Sequence, residues 1–219
     1  GSVVSAVFTA LAELTKLQKL LFASVFLCGI WLGRIPPFWK EYRDVQEIPM
    51  RYYGADAPTL TGRAVSVSDG DTIRFYHTPL PWQTPPTKMK VSEVALPIRL
   101  CTMDTPETPK FGKPGQPFGL EAKQTLKDFL GDGPIKIRLL QKDQYGRAVA
   151  QVMKGGKHAD EFMLKQGMAE VYTGGGAVYG PKGLDAYLEI EKAAKKKKLG
   201  IWSSGKRESA AEYKKRTKE

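Results

Sequence analysis

Cysteine and histidine are scarce: 219 residues hold two of each. Cys28 and Cys101 lie far apart in the chain, and neither has a neighbour at zinc-ligand spacing. That excludes a zinc module and a disulfide framework, and both thiols read as small buried apolar groups. His77 and His158 are isolated as well and receive no role. There is no internal repeat and no dinucleotide glycine fingerprint. Acidic residues are outnumbered, 23 Asp and Glu against 34 Lys and Arg, for a formal net charge of +11. Such a balance suits polyanionic partners, either nucleic acid or anionic lipid, with solubility as the blander explanation.

Long uncharged apolar runs are also rare. The main one, Leu20–Gly33, is bracketed by Lys19 and Arg34. It is shorter than the ~20 residues of a full membrane span. Leu17 extends it, and the flanking cations can snorkel outward. Val4, Val7, Leu11 and Leu14 share one helical face upstream. Trp31, Phe38, Trp39 and Tyr42 gather at the far end, as interfacial aromatics do. A membrane anchor is favoured over a buried core helix or an uncleaved signal remnant. Pro36-Pro37 ends that helix, since proline lacks a donor and clashes with the preceding turn. Residues 1–35 are therefore read as a helical anchor segment, 36–60 as a linker, 61–204 as the globular domain and 205–219 as a basic tail.

Within the domain, Gly62–Ser68 and Thr72–Tyr76 alternate apolar and polar residues and read as two strands joined at Asp69-Gly70-Asp71. Thr78–Thr87 is proline-rich and reads as a loop; Leu96–Thr102 reads as a third strand. Pro106–Pro117 is a long loop and Gly119–Leu130 a helix with Leu126, Phe129 and Leu130 on its apolar side. Ile135–Leu140 and Ala148–Met153 are two further strands. Asp160–Gln166 and Leu184–Lys198 complete the pattern as helices. Five short strands with interposed helices suit an α+β fold built on a five-stranded OB-fold β-barrel, preceded by the N-terminal apolar helix.

Three polar runs carry the chemistry: Asp69-Gly70-Asp71-Thr72, the stretch from Arg99 through Asp104-Thr105-Pro106-Glu107-Thr108, and Asp143-Gln144-Tyr145-Gly146-Arg147. Each alone is ordinary turn chemistry. Together they offer carboxylates suited to Ca²⁺ or Mg²⁺ and arginine forks suited to phosphate, which points to phosphodiester chemistry. Asp71 after a glycine turn and Asp104 at a strand end would meet at one barrel end, with the Thr105 carbonyl as a further oxygen donor. Glu107, past the rigid Pro106, can hold or deprotonate an attacking water. Arg99 and Arg147, on separate strands, can clamp one phosphate.

With Leu199-Gly200-Ile201-Trp202-Ser203, these runs resemble the thermonuclease (staphylococcal nuclease-like) family over about residues 61–204. The resemblance implies an OB barrel with three helices and Ca²⁺-dependent cleavage of DNA and RNA. By position, Asp71, Asp104 and Thr105 would bind Ca²⁺, while Arg99, Glu107 and Arg147 would be catalytic. Tyr145, Tyr172 and Tyr179 are the candidates for contacts to a substrate phosphate. The N-terminal apolar segment, the insertion after Phe75–Pro79 and Phe111–Phe118 look more like the membrane-anchored eukaryotic branch, whose fungal members are assigned to mitochondria; a plastid is the alternative. Gln144 stands where a lysine is common, and the gap between Asp71 and Asp104 is longer and more proline-rich than in the compact secreted members. The rival reading is a non-catalytic nucleic-acid-binding or structural subunit of a membrane complex, because OB barrels often bind without cleaving. Lys195–Lys198, Lys206-Arg207 and Lys214-Lys215-Arg216 read as a solvated basic surface, a phosphate rail or a lipid-facing patch.

Overall fold

Alternation along the strands dictates the barrel. In the computed structural model, which describes residues 16–31, 40–80, 82–86, 88, 90–110, 112–205 and 208–218, the apolar residues of each alternating stretch point to one interior. β1 (Leu60–Asp69), β2 (Thr72–His77), β3 (Leu96–Leu100), β5 (Ile135–Lys142) and β6 (Ala148–Lys154) form a closed sheet. Neighbours run antiparallel except β3 and β6, whose parallel pairing closes the barrel. Ile73 and Phe75, Ile98 and Leu100, Ile137 and Leu139, and Ala148 and Ala150 fill the inside at period two. The expected five-stranded OB-type barrel is therefore present.

α2 (Val91–Val94) is a single turn before β3, and β4 (Met103–Asp104) leaves the barrel to pair with β8 (Glu170–Val171). Between β3 and β4 the chain bends at Thr102, whose φ of 72° no strand could continue. That bend ends β3 two residues earlier than the apolar pattern predicts. α3 (Gly119–Leu130) buries Ala122, Leu126 and Leu130 at i, i+4, i+8. Its Phe129 stacks on Phe162 of α4 (Ala159–Lys165), centroids 4.7 Å apart. β7 (Lys157–His158) extends the sheet beside β6, and α5 (Gly183–Lys196) packs Tyr187 and Ala194 inward.

Two segments differ from the sequence reading. Residues 41–53, within the stretch read as a linker, are packed: Tyr42, Val45 and Ile48 join the barrel core around the 3₁₀ turn Val45–Glu47, and a second 3₁₀ turn follows at Met50–Tyr52. Residues 210–218, within the stretch read as a tail, form α6 (Ala210–Lys218). Cys101 is buried as expected, but Cys28 is exposed.

The chain divides into two compact units, residues 1–40 and 41–219. What is described of the first is α1 (Lys16–Trp31), on which Leu20, Leu21, Val25 and Leu27 are exposed. Among the described residues no helix is long and apolar enough to cross a membrane. The expected helical face of Val4, Val7, Leu11 and Leu14, the Pro36-Pro37 stop, the Phe38 and Trp39 aromatics, and Lys206-Arg207 lie outside the described residues.

Candidate active site

One barrel end collects the polar runs because of register. In β1–β2, Asp69 pairs with Thr72, so Gly70-Asp71 is the two-residue turn. Thr72 pairs with Arg99 across β2–β3, and the Leu100 N–H donates to the Asp71 carbonyl at 2.8 Å. Arg99 pairs with Val149 across β3–β6, which sets Arg147 on the neighbouring strand's approach. Gly70 has a local reason: a Cβ there would come within 2.7 Å of Thr105 Oγ1, so the turn lies flat against Thr105.

Arg99 is the hub. Its guanidinium donates to Asp71 Oδ2 at 2.7 Å and to Asp104 Oδ1 at 3.0 Å, and it lies 5.4 Å from the Tyr172 ring centroid. Asp71 also accepts from the Thr72 hydroxyl at 2.9 Å. Burial pushes the Asp71 carboxyl well above the usual carboxylate range; Arg99 opposes this, while the charges of Asp69 and Asp104 add to it. Asp104 is also buried, yet Lys214 and Arg99 outweigh that burial and hold its carboxyl low. Asp69 accepts from Lys110 Nζ at 2.5 Å through Oδ2, while its buried Oδ1 has no donor among the described residues.

Glu107 is fixed through its main chain. Its N–H donates to Gln116 Oε1 at 3.0 Å, and its carbonyl accepts from the Gln116 N–H at 2.9 Å. A Cβ on Gly119 would lie 2.4 Å from that carbonyl oxygen, so α3 can begin there only with glycine. The Glu107 carboxylate meets Lys214 Nζ at 3.1 Å. Across the cavity, Arg147 Nε donates to Asp143 Oδ2 at 2.7 Å. Asp143 Oδ1 accepts the N–H groups of Tyr145 and Arg147, each at 2.9 Å. These bonds overcome the burial of Asp143 and keep it ionised, which presets the turn carrying Arg147.

The charged side chains face one cavity of about 890 Å³, lined by Asp69, Asp71, Arg99, Asp104, Glu107 and Arg147 among others. Tyr145 and Tyr172 are on its wall. Tyr179 is not among the lining residues; its hydroxyl donates to the Tyr172 carbonyl at 2.8 Å and so braces that tyrosine. Thr105 is buried and is not among the lining residues either. Sequence reasoning missed Lys110 and, above all, Lys214, which donates to Asp104 Oδ1 at 2.8 Å and Oδ2 at 3.0 Å. Burial disfavours the Lys214 charge, but Asp104, Asp71 and Glu107 prevail and raise its pKa.

The chain that builds this group of carboxylates, two arginines and a tyrosine-walled groove has relatives in sequence. Residues 97–204 match the family described as Staphylococcal nuclease homologue. Endonuclease Htp3 of Saprolegnia parasitica is 41% identical over 202 residues, covering 87% of this chain and 94% of that protein. The chain belongs to the staphylococcal nuclease homologue family. A probable endonuclease lcl3 of Schizosaccharomyces japonicus is 35% identical over 202 residues, with 82% of this chain and 87% of that protein covered. A probable endonuclease LCL3 of Yarrowia lipolytica is 36% identical over 193 residues, with 81% and 84% covered. The match to the family begins within β3, so the Asp69–Thr72 hairpin lies ahead of it, while the relatives' similarity extends over most of the chain.

A cation belonging to such a site has to be fitted to the residues present. Asp71, Asp104 and the Thr105 carbonyl are hard oxygen donors of the type Ca²⁺ prefers, and Asp69 Oδ1 is a buried oxygen in want of a partner beside them. The donor set fits. Among the described residues, however, no three His, Cys, Asp or Glu side chains are gathered as a metal site. Instead the carboxylates are turned to Arg99 and Lys214.

Proposed function

We propose that the chain is a Ca²⁺-dependent endonuclease that hydrolyses phosphodiester bonds of DNA and RNA with little sequence preference. The observation that carries this reading is the single cavity into which Arg99, Glu107 and Arg147 open around the Asp71–Asp104 pair. The charged groups of the cavity suit a phosphate backbone, which every sequence shares.

Asp71, Asp104 and the Thr105 carbonyl would hold the cation, which when bound neutralises charge on a non-bridging phosphate oxygen. Glu107 orients a water and takes its proton as the water oxygen attacks phosphorus in line with the leaving oxygen. The new P–O bond forms as the bond to the leaving oxygen breaks, and that oxygen takes a proton from solvent to depart as an alcohol. Arg99 and Arg147 donate to the equatorial oxygens as charge accumulates there. Asp71 and Asp143 hold these two arginines at the cavity. Tyr145 and Tyr172 offer faces and hydroxyls along the strand's path.

The test is hydrolysis of single-stranded DNA and of RNA with Ca²⁺, with and without chelator. Chelation and Glu107→Gln should each abolish it, and Arg99→Gln or Arg147→Gln should cost about 10²-fold or more in kcat. Activity surviving both chelation and Glu107→Gln would sink the mechanism. One observation favours the rival of a non-catalytic nucleic-acid-binding or structural subunit: Lys214 fills the carboxylates. Failure of the pure protein to cleave under any Ca²⁺ concentration, with retained nucleic-acid binding, would select it.

Tethering to an organellar membrane, mitochondrial by preference, is proposed from the Leu20–Gly33 run and its flanking cations. Extraction of the native membranes with carbonate decides it: release into the supernatant overturns the tether.

A further inference from the structure

We infer that α6 is an intramolecular plug, in which Lys214 competes with the divalent cation for Asp104, occupies the water-orienting Glu107, and the helix gives way when cation enters. The inference rests on the calcium-dependent reading above and adds how that site is controlled.

The contact is specific. Lys214 Nζ reaches both oxygens of Asp104 at 2.8 and 3.0 Å and Glu107 Oε1 at 3.1 Å. These belong to the carboxylates proposed to hold the cation and to orient the water. An ammonium and a divalent cation cannot share them, because like charges at such separations repel and each donor oxygen has few lone pairs. Ala211 joins Lys214 in lining the cavity, so the helix also narrows the path of a nucleic-acid strand.

The helix is built to reach the site. Ser209 and Glu212 form a reciprocal capping box: the Glu212 N–H donates to Ser209 Oγ at 3.2 Å and the Ser209 N–H to Glu212 Oε2 at 2.7 Å. Ala210, Tyr213, Lys214 and Thr217 then share one face at i, i+3, i+4, i+7. Ala210 donates its N–H to Glu170 Oε1 at 3.0 Å, and the Tyr213 hydroxyl donates to the Pro114 carbonyl. Gln116, whose amide oxygen fixes Glu107, gives its Nε2 to the Glu208 and Ser209 carbonyls at 3.0 and 3.2 Å. The loop bearing Glu107 and the start of α6 are thus one hydrogen-bonded unit.

The helix is also built to leave. Only Ala210 and Tyr213 of α6 are buried side chains among those described, and its remaining anchors are polar groups that water can replace. Elements with so few apolar contacts open well below the cost of global unfolding. Cation affinity is then lowered by the fraction of molecules in the open state.

The experiment is Ca²⁺ titration by calorimetry on the full chain, wild type beside Lys214→Met and Ser209→Ala, with hydrogen exchange of residues 210–218 followed as Ca²⁺ is added. Ser209→Ala weakens the helix without removing a contact to Asp104 or Glu107. The expected result is Ca²⁺ affinity tenfold or more higher in Lys214→Met, a smaller rise in Ser209→Ala, and faster exchange over α6 in wild type once Ca²⁺ binds. Equal or weaker affinity in Lys214→Met, with wild type still binding Ca²⁺, overturns the plug and leaves the calcium-dependent reading standing. Absence of Ca²⁺ binding by all three proteins sinks both.

Discussion

Glu107 shows how a glycine far from the reacting atoms can govern a carboxylate. Gly119 begins α3 with its Cα against the Glu107 carbonyl, where a Cβ would come within 2.4 Å of the oxygen. Helix propensity favours alanine over glycine by about 1 kcal/mol, but a backbone oxygen held by Gln116 cannot swing aside. Gly119→Ala is therefore expected to displace the loop rather than the helix. A shift of ~1 Å in a catalytic group can cost ~10²-fold. The expected outcome is a drop of that order in kcat with little change in Tm or KM, read by steady-state kinetics beside a thermal melt. His77 is the second residue with a measurable signature. It is buried, stacked on Tyr42, and accepts the Tyr42 N–H at 3.1 Å. Burial, helped by the Arg43 charge, lowers its pKa to about 4. The unfolded chain therefore binds this proton first as pH falls, so the stability His77 contributes is complete above its unfolded value near 6.5 and is lost towards pH 4. At one pKa unit per 1.36 kcal/mol the loss approaches about 3 kcal/mol. His77→Phe should flatten the dependence of Tm on pH between those limits; an unchanged slope would assign the acid sensitivity elsewhere.

Among elements, the barrel was legible and its two flanking pieces were not. Period-two alternation in Thr72–Tyr76 and Leu96–Leu100 leaves one arrangement that buries Ile73, Phe75, Leu96, Ile98 and Leu100 together, so strand content follows from pattern. The parallel β3–β6 closure is a long-range pairing that no local pattern encodes. Residues 41–53 were obscured by a different period. Tyr42, Val45 and Ile48 recur every third residue around a single short 3₁₀ turn, a spacing too brief and irregular for the periodic templates of helix and strand. That segment is part of the fold: Ile48→Ala should destabilise the domain by about 2–5 kcal/mol, measured by denaturant unfolding with an unchanged m-value. A cost below ~0.5 kcal/mol, as for a surface change, would restore the linker reading. α6 was hidden by its lysines and arginine. The Ser209-x-x-Glu212 box and the Ala210, Tyr213, Lys214, Thr217 face are present in the sequence, but a helix this short and this charged carries too little apolar periodicity to stand out from a solvated tail. At the site itself, Asp71, Arg99, Asp104, Glu107 and Arg147 could be proposed from the sequence because they fall in three short runs of charged and turn-forming residues, which the fold brings to one cavity; Lys214 could not, because it arrives from more than a hundred positions away.

For the whole molecule the net charge of +11 raises a question of location rather than amount. Two basic regions compete for the role of phosphate rail. One is the cavity, with Lys142 and Lys110 on its wall. The other is the end of α5 around Lys197, which borders a separate groove with Lys165 and Leu199. Only contacts with bound phosphates release counterions, so the two regions differ in the salt dependence of binding and not merely in strength. For a single strand the slope of log affinity against log salt is about −0.7 per phosphate neutralised. Binding of a fluorescent single-stranded DNA, followed with Ca²⁺ present on a Glu107→Gln background so that cleavage does not run, isolates this term. Lys142→Ala should shrink the slope by about 0.7, because one cavity-wall ammonium neutralises one phosphate. Lys197→Ala, at the separate groove, should leave the slope unchanged while removing the same formal charge. If the reverse holds, the strand runs along α5, and the +11 charge steers nucleic acid past the barrel mouth rather than into it.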